Sequence, residues 1–196
     1  MALMKIFEIF SLVTGIIYLV LEIRQRNFMW VVGILTAAAS VAVFAGQGLY
    51  ASWVLNVYYV AVSVKGLYDW RHDGAAMDAA GEGKESLHLR RLSAGGLSVS
   101  VVATVAGTAV LYFILRKIGD PSSLLDAAVT VLSAVATWWL SRSIPQQWLL
   151  WIVADSLSAW LCLSQRMPWM AVLYTAYALS AVYGFYHWNK NGKYIG

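Results

Sequence analysis

Long apolar runs alternate along this chain with short polar interruptions. Seven runs, at about 5–23, 28–46, 50–69, 97–115, 122–141, 147–164 and 168–187, stand out. Crossing a hydrocarbon core takes about 17–25 helical residues, and each run meets that length. A lipid-exposed segment must satisfy its own backbone hydrogen bonds, so the runs are expected to be helices. The pattern therefore predicts an all-α membrane protein with seven transmembrane helices. The connections are short except for 71–96, which is rich in Gly, Ala and both charge signs. It is expected to be a solvated cytoplasmic loop.

A second pattern lies over the first. Val64-Lys65-Gly66-Leu67-Tyr68-Asp69-Trp70 ends the third run, and Val182-Tyr183-Gly184-Phe185-Tyr186-His187-Trp188 ends the seventh. The offset is 118 residues (184 minus 66), and it also pairs Trp30 with Trp148, Ser40 with Ser158, Tyr59 with Tyr177 and Glu8 with Asp126. One gapless offset through all three spans of each half predicts an internal repeat. Two three-span halves joined directly would be inverted, whereas one extra crossing between them restores the same direction. The expected plan is 3+1+3: residues 1–70 form the first repeat, 97–116 a linker helix and 117–196 a second, parallel repeat. Transporters built from repeats bind substrate near the bilayer midplane at the repeat interface. The fourth run has no carboxylate, amide or tryptophan, and Thr104 and Gly107 suit close helix packing.

Lys and Arg orient the chain. Arg24, Arg26, Lys65, Arg71, Lys84, Arg90, Arg91, Arg142, Lys190 and Lys193 fall on one side, and Lys5, Arg116, Lys117 and Arg166 on the other. The positive-inside rule puts the first set in the cytoplasm, with the N-terminus outside and the C-terminus inside. Composition agrees with a membrane protein: 60% of residues are hydrophobic and 12% charged, against about 45–50% and about 25% in soluble domains. The net charge of +4 belongs to topology, and no nucleic-acid partner is expected. Cys162 is the only cysteine, so neither an intrachain disulfide nor a cysteine metal cluster is expected. Glu8 interrupts the first apolar run and no small-residue cleavage site follows, which reads as a retained span.

Candidate chemistry concentrates in the sixth run, WLLWIVADSLSAWLC. Trp148, Trp151, Asp155 and Ser158 share one helical face. A carboxylate at mid-membrane costs roughly 2.5–3.5 kcal/mol on insertion scales, and such residues are functional by default. Two indoles and a carboxylate on one stripe suit an aromatic cation. Trp30, the repeat mate of Trp148, joins the candidates. Asn56, Tyr59, Ser63 and Gly66 share a face of the third span, and Tyr174, Tyr177 and Gly184 share one in the seventh. The Asn56 amide offers donors and acceptors, and Thr36 adds a hydroxyl in the second span. Asp120 or Ser122 is expected to cap the fifth helix. Trp70, Trp138, Trp139 and Trp188 are expected to be interface anchors.

GLYASWVLNVYYVAVSVKGLYDW (48–70), QQWLLWIVADSLSAWLCL (146–163) and VLYTAYALSAVYGFYHW (172–188), with Gly33 ahead of them, resemble the PnuC-type vitamin transporters, a family named for nicotinamide riboside uptake. The likeness covers nearly the whole chain. It implies a bacterial inner-membrane facilitator that needs neither ATP nor a coupled ion. A cytoplasmic kinase in such systems makes uptake one-way by phosphorylating the vitamin. The family's Trp-x-x-Trp-x-x-x-Asn/Asp stretch falls on Trp148, Trp151 and Asp155. Its polar position in span three, often Gln, falls on Asn56, and a frequent Asn in span two falls on Thr36. LNVYY with WIVAD resembles the thiamine-associated branch, so nicotinamide riboside and thiamine stand nearly level as cargo. The partners implied are the vitamin, the lipid bilayer and that kinase, with a homo-oligomer compatible and no cofactor or metal expected. The alternatives are a riboflavin or nucleoside carrier of the same fold, or a non-transporting membrane scaffold.

Other classes fit poorly. A retinal photoreceptor needs a lysine deep in its last span, and 168–187 has none. No HExxH or GxxxxGK[ST] motif occurs, so neither a metalloprotease nor a self-contained ATP-driven pump is expected.

Overall fold

The structure is a computed structural model that describes residues 16–47, 50–79, 87–119 and 123–195. Seven helices follow in order: α1 (helical at 16–23), α2 (Phe28–Gln47), α3 (Tyr50–Ala79), α4 (Ala94–Lys117), α5 (Ser123–Ser141), α6 (Gln147–Ser164) and α7 (Pro168–Asn191). Two three-residue strands, β1 (Leu87–Leu89) and β2 (Gly192–Tyr194), pair as a small sheet. Glu8, and the expected cap residues Asp120 and Ser122, lie outside the described residues.

The stretch 71–96 departs from the expected loop. α3 continues through Arg71 to Ala79, because its charged and alanine-rich residues keep helical geometry once the helix leaves the apolar layer. Leu87, His88 and Leu89 are buried, since pairing with the C-terminal strand covers them. Arg90 donates its backbone N–H to the carbonyl of Ser143 at 3.1 Å. Only 80–86 of this stretch lies outside the described residues.

By length and composition, α4, α5 and α6 are each able to cross a membrane, and α2 carries the shorter apolar segment Phe28–Ala42. α4 shows what surrounds the fold. None of its residues is buried, and Val99, Val102, Val105 and Phe113 are 60–70% exposed. Lipid solvates such a surface without penalty, whereas water does not. The chain is an all-α, multi-pass membrane protein.

The chain divides into two compact units, Met1–Leu87 and His88–Gly196. α4 therefore belongs with α5, α6 and α7. In the first unit α2 packs on α3; in the second α4 packs on α5, α5 on α6 and α6 on α7. The Trp139 indole N–H donates to Ser100 Oγ at 2.9 Å and fastens α5 to α4.

The same internal geometry recurs in the two units at the offset of 118. A Cβ on Gly66 would lie 2.5 Å from the Trp30 ring, and one on Gly184 would lie 2.8 Å from the Trp148 ring. Trp30 stands edge-on to Trp70 at 5.2 Å and 80°, as Trp148 stands to Trp188 at 5.5 Å and 90°. Ser40 Oγ donates to the Thr36 carbonyl, and Ser158 Oγ to that of Ala154. These positions are pairwise 118 apart. Glycine is required at Gly66 and Gly184 because the indole occupies the space of a side chain.

The helix corners repeat as well. Gln25 and Ser143 take left-handed φ values of 50° and 54°. Gln25 N–H donates to Glu22 and Arg26 N–H to Leu21; the matching bonds run from Ser143 to Leu140 and from Ile144 to Trp139. Both are Schellman ends, in which a left-handed residue lets the last carbonyls find donors. The α6–α7 corner closes in the same way around Arg166, at φ 58°.

Three of the four expected interface tryptophans are instead core. Trp70, Trp139 and Trp188 are 1%, 6% and 0% exposed, since ring pairs hold Trp70 and Trp188 between helices and the bond to Ser100 holds Trp139. Trp138 remains partly exposed, with the Arg142 guanidinium 5.0 Å above its ring.

Candidate functional site

The Schellman corner at Ser143 sets the start of α6. Pro145 and Gln147 are fully buried behind it, which fixes the phase of the helix. Trp148, Asp155 and Ser158 consequently face inward, at 1%, 8% and 7% exposure, and Trp151 is partly exposed on the same stripe. The face read from the sequence is therefore the inward face of α6.

Its four members differ in what they have left to offer. Trp148 packs on Gly184 and against Trp188, one turn apart on α7, so its ring is already engaged. Ser158 donates its hydroxyl to the Ala154 carbonyl at 2.8 Å, a local bond within the helix. Trp151 keeps a buried indole N–H without an acceptor. Trp148 and Trp30 show the same unmet donor, which in their case accompanies the repeated glycine packing. Trp151 has no such counterpart, because its repeat mate is Gly33. Asp155 has no Lys, Arg or His paired with it among the described residues.

α7 supplies the neighbours of Asp155. Tyr174 and Tyr177 stand edge to face at 6.2 Å and 85°, and both lie within electrostatic range of the Asp155 carboxylate. The second unit thus brings Trp151, Asp155, Tyr174 and Tyr177 together. A carboxyl group, an indole with a donor to give and two phenols are groups suited to a flat cation, through charge and ring faces. Asp126, in the first turn of α5, lies within electrostatic range of Cys162, which is in turn within range of Tyr174.

The first unit gathers its own candidates. Tyr59 is partly buried beside Tyr58, at 5.7 Å between ring centroids. It also lies within electrostatic range of Tyr18. Asn56 is partly buried one turn earlier on α3. Thr36 is exposed, and its carbonyl accepts the Ser40 hydroxyl at 3.0 Å. Trp30 is fully buried between Gly66 and Trp70.

Tyr18 is the residue that sequence reasoning missed, and it meets Ser63, which shares the α3 face of Asn56 and Tyr59, at Gly33. A Cβ on Gly33 would meet Ser63 Oγ at 3.2 Å and the Tyr18 ring at 4.0 Å, so both line the gap that Gly33 leaves. Their repeat mates are Ala136 and Ala181. A polar residue where the other half has alanine is the signal that could have found Tyr18.

With this geometry in view, comparison with known proteins decides the family. The family model described as nicotinamide mononucleotide transporter matches residues 5–190. The chain belongs to that family. The nicotinamide riboside transporter PnuC of Haemophilus influenzae is 29% identical over 158 residues, covering 76% of this chain and 67% of that protein. Its namesake in Neisseria mucosa is 28% identical over 185 residues, 91% of this chain and 70% of that one. The riboflavin/roseoflavin transporter RibM of Streptomyces davaonensis is 25% identical over 179 residues, 90% and 81% of the two chains. Among solved structures, the vitamin B3 transporter PnuC superposes with a TM-score of 0.65 at 26% identity. That match covers 96% of this chain and 85% of the other. The protein is a membrane transporter and not an enzyme.

Proposed function

We propose that this transporter carries a B-type vitamin that is an aromatic cation, nicotinamide riboside or thiamine, across the bacterial inner membrane by facilitated diffusion. The observation that carries the reading is Asp155. Its carboxylate is 8% exposed in the middle of an apolar helix. Tyr174 and Tyr177 lie in range, and no basic partner stands among the described residues. A ligand cation would satisfy that charge, and the Trp151 ring would stack on it. Tyr174 and Tyr177 are the further proposed contacts in this unit, and Asn56, Tyr59 and Thr36 are the substrate-binding candidates that the sequence offers in the first. Trp148 and Trp30, closed in by glycine, act in this account by holding α6 and α2 in register. Relatives that carry nicotinamide riboside support the substrate class.

The remaining features of the proposal come from sequence. Two parallel three-helix repeats joined by α4 account for the geometry shared at the offset of 118. The Lys/Arg distribution supports an outside N-terminus and a cytoplasmic C-terminus. With no ATP-binding loop in the chain, net uptake would follow from phosphorylation of the vitamin by a cytoplasmic kinase.

A riboflavin reading has one observation behind it, the likeness to RibM. Riboflavin's isoalloxazine is uncharged, however, and leaves Asp155 unanswered. Uptake of labelled thiamine, nicotinamide riboside and riboflavin into liposomes containing only this protein tests the account. Saturable, ion-independent entry of one of the two cations is expected. Entry of riboflavin alone, or of none, would overturn it.

A further inference from the structure

We propose that one end of the second unit, bearing the α5–α6 corner and the close of α7, is a binding ledge for the phosphate groups of anionic phospholipids. Three basic residues far apart in sequence are assembled there: Arg91 after β1, Arg142 at the corner and Lys190 in the last turn of α7. Backbone bonds build the ledge. Arg90 N–H reaches the Ser143 carbonyl at 3.1 Å, and Ile195 N–H reaches that of Leu89 at 2.9 Å. Gly192 is pressed so closely on Leu89 that an added Cβ would also lie 2.6 Å from the Trp188 carbonyl.

Each of the three cations stands over an aromatic ring: Arg91 at 5.3 Å from Tyr194, Arg142 at 5.0 Å from Trp138 and Lys190 at 5.5 Å from Tyr186. All three are exposed. α5 has 19 residues, about 28 Å at about 1.5 Å each, close to the thickness of the hydrocarbon core. Arg142 follows directly on Ser141, so it and its neighbours fall at headgroup level, where aromatic rings also settle.

Charge balance separates this end from its counterpart. The described side-chain carboxylates of the second unit are Asp126 and Asp155. The first lies in the opening turn of α5, at the opposite end of that helix, and the second in mid-α6. Neither offsets the ledge. In the first unit the repeat mate of Arg142 is Arg24, and those of Tyr186 and Lys190 are Tyr68 and His72. There Glu22, Asp69 and Asp73 stand at the corresponding end, and Asp69 pairs with Lys65. Among the described residues, carboxylates stand among the basic residues at this end of the first unit, and none stands at this end of the second. Basic residues at an anionic surface strengthen attachment about fivefold each, so three amount to roughly a hundredfold.

Native mass spectrometry of the purified protein, titrated with phosphatidylglycerol or phosphatidylcholine, tests this. Wild type is expected to retain phosphatidylglycerol at least tenfold more strongly, less so at high salt. The triple variant Arg91→Gln, Arg142→Gln, Lys190→Gln should fall to the phosphatidylcholine level. Arg91→Lys with Arg142→Lys, which keeps the charge, should retain the preference, as should Arg24→Gln with Arg71→Gln in the first unit. Equal retention of the two lipids by wild type, or an unchanged preference in the triple variant, would overturn the proposal. So would displacement of the lipid by an equal concentration of glycerol phosphate, which would mark a site for soluble anions.

Discussion

Gly184 lies beneath the indole of Trp148 so closely that a Cβ there would stand 2.8 Å from three of the ring atoms. Trp188, one turn further along the same helix as Gly184, meets the ring edge-on at 5.5 Å and limits how it can shift. Overpacking of this kind typically costs about 1–3 kcal/mol. Gly184→Ala is therefore expected to lower the thermal midpoint in detergent, and Gly66→Ala to do so by a similar amount through Trp30. Differential scanning fluorimetry on both variants reads the effect, and an unchanged midpoint for either would contradict the repeated packing.

Arg166 takes a left-handed φ of 58° at the α6–α7 corner, where a residue with a Cβ is strained by roughly 1–2 kcal/mol. Arg166→Gly relieves that strain and is expected to raise the thermal midpoint, partly offset by the greater freedom of glycine in the unfolded chain. A lower midpoint would show that the exposed guanidinium contributes more than the backbone loses.

The Trp139–Ser100 hydrogen bond at 2.9 Å is a polar tie between α5 and α4. Trp139→Phe removes the donor and keeps most of the ring. Interhelical hydrogen bonds inside membranes average about 0.6 kcal/mol, so a small loss is expected, and Ser100→Ala should match it. A double variant no worse than either single variant would identify the bond as the common cause.

For topology, Asn189 and Gln165 are exposed near opposite ends of α7, and the native Cys162 is buried. With a cytoplasmic C-terminus, a cysteine at Asn189 is expected to resist a membrane-impermeant thiol reagent in intact cells. One at Gln165 should react. The reverse pattern would invert the assigned orientation.

Sequence periodicity reached α5 and α6 almost to the residue, because apolar runs there are bounded by corners that cannot extend. It fell short in α3, whose helix runs on to Ala79 through residues that water solvates as readily in a loop. β1 left no trace in the pattern, since three residues become a strand only by meeting Gly192–Tyr194. The offset of 118 was legible at Trp30, Ser40, Gly66 and Trp70 and their mates, but what it encodes, an indole over a glycine, was not. The stripe on α6 was legible too, whereas only contacts separate Trp148, closed in by Gly184, from Trp151. Tyr18 went unread because its partners, Gly33 and Ser63, lie on other helices.

Asp155 bears the central claim. Removing one partner of a buried charged pair typically costs about 2–5 kcal/mol, or roughly thirtyfold to several-thousandfold in affinity. Trp151→Ala should lose stacking of about 1–2 kcal/mol. Titration calorimetry with thiamine and nicotinamide riboside on wild type, Asp155→Asn and Asp155→Ala puts the claim to its most direct test. The account predicts that one of the two cations binds wild type, and that Asp155→Asn weakens it more than tenfold with the thermal midpoint preserved. Unchanged affinity in a folded Asp155→Ala protein would contradict it.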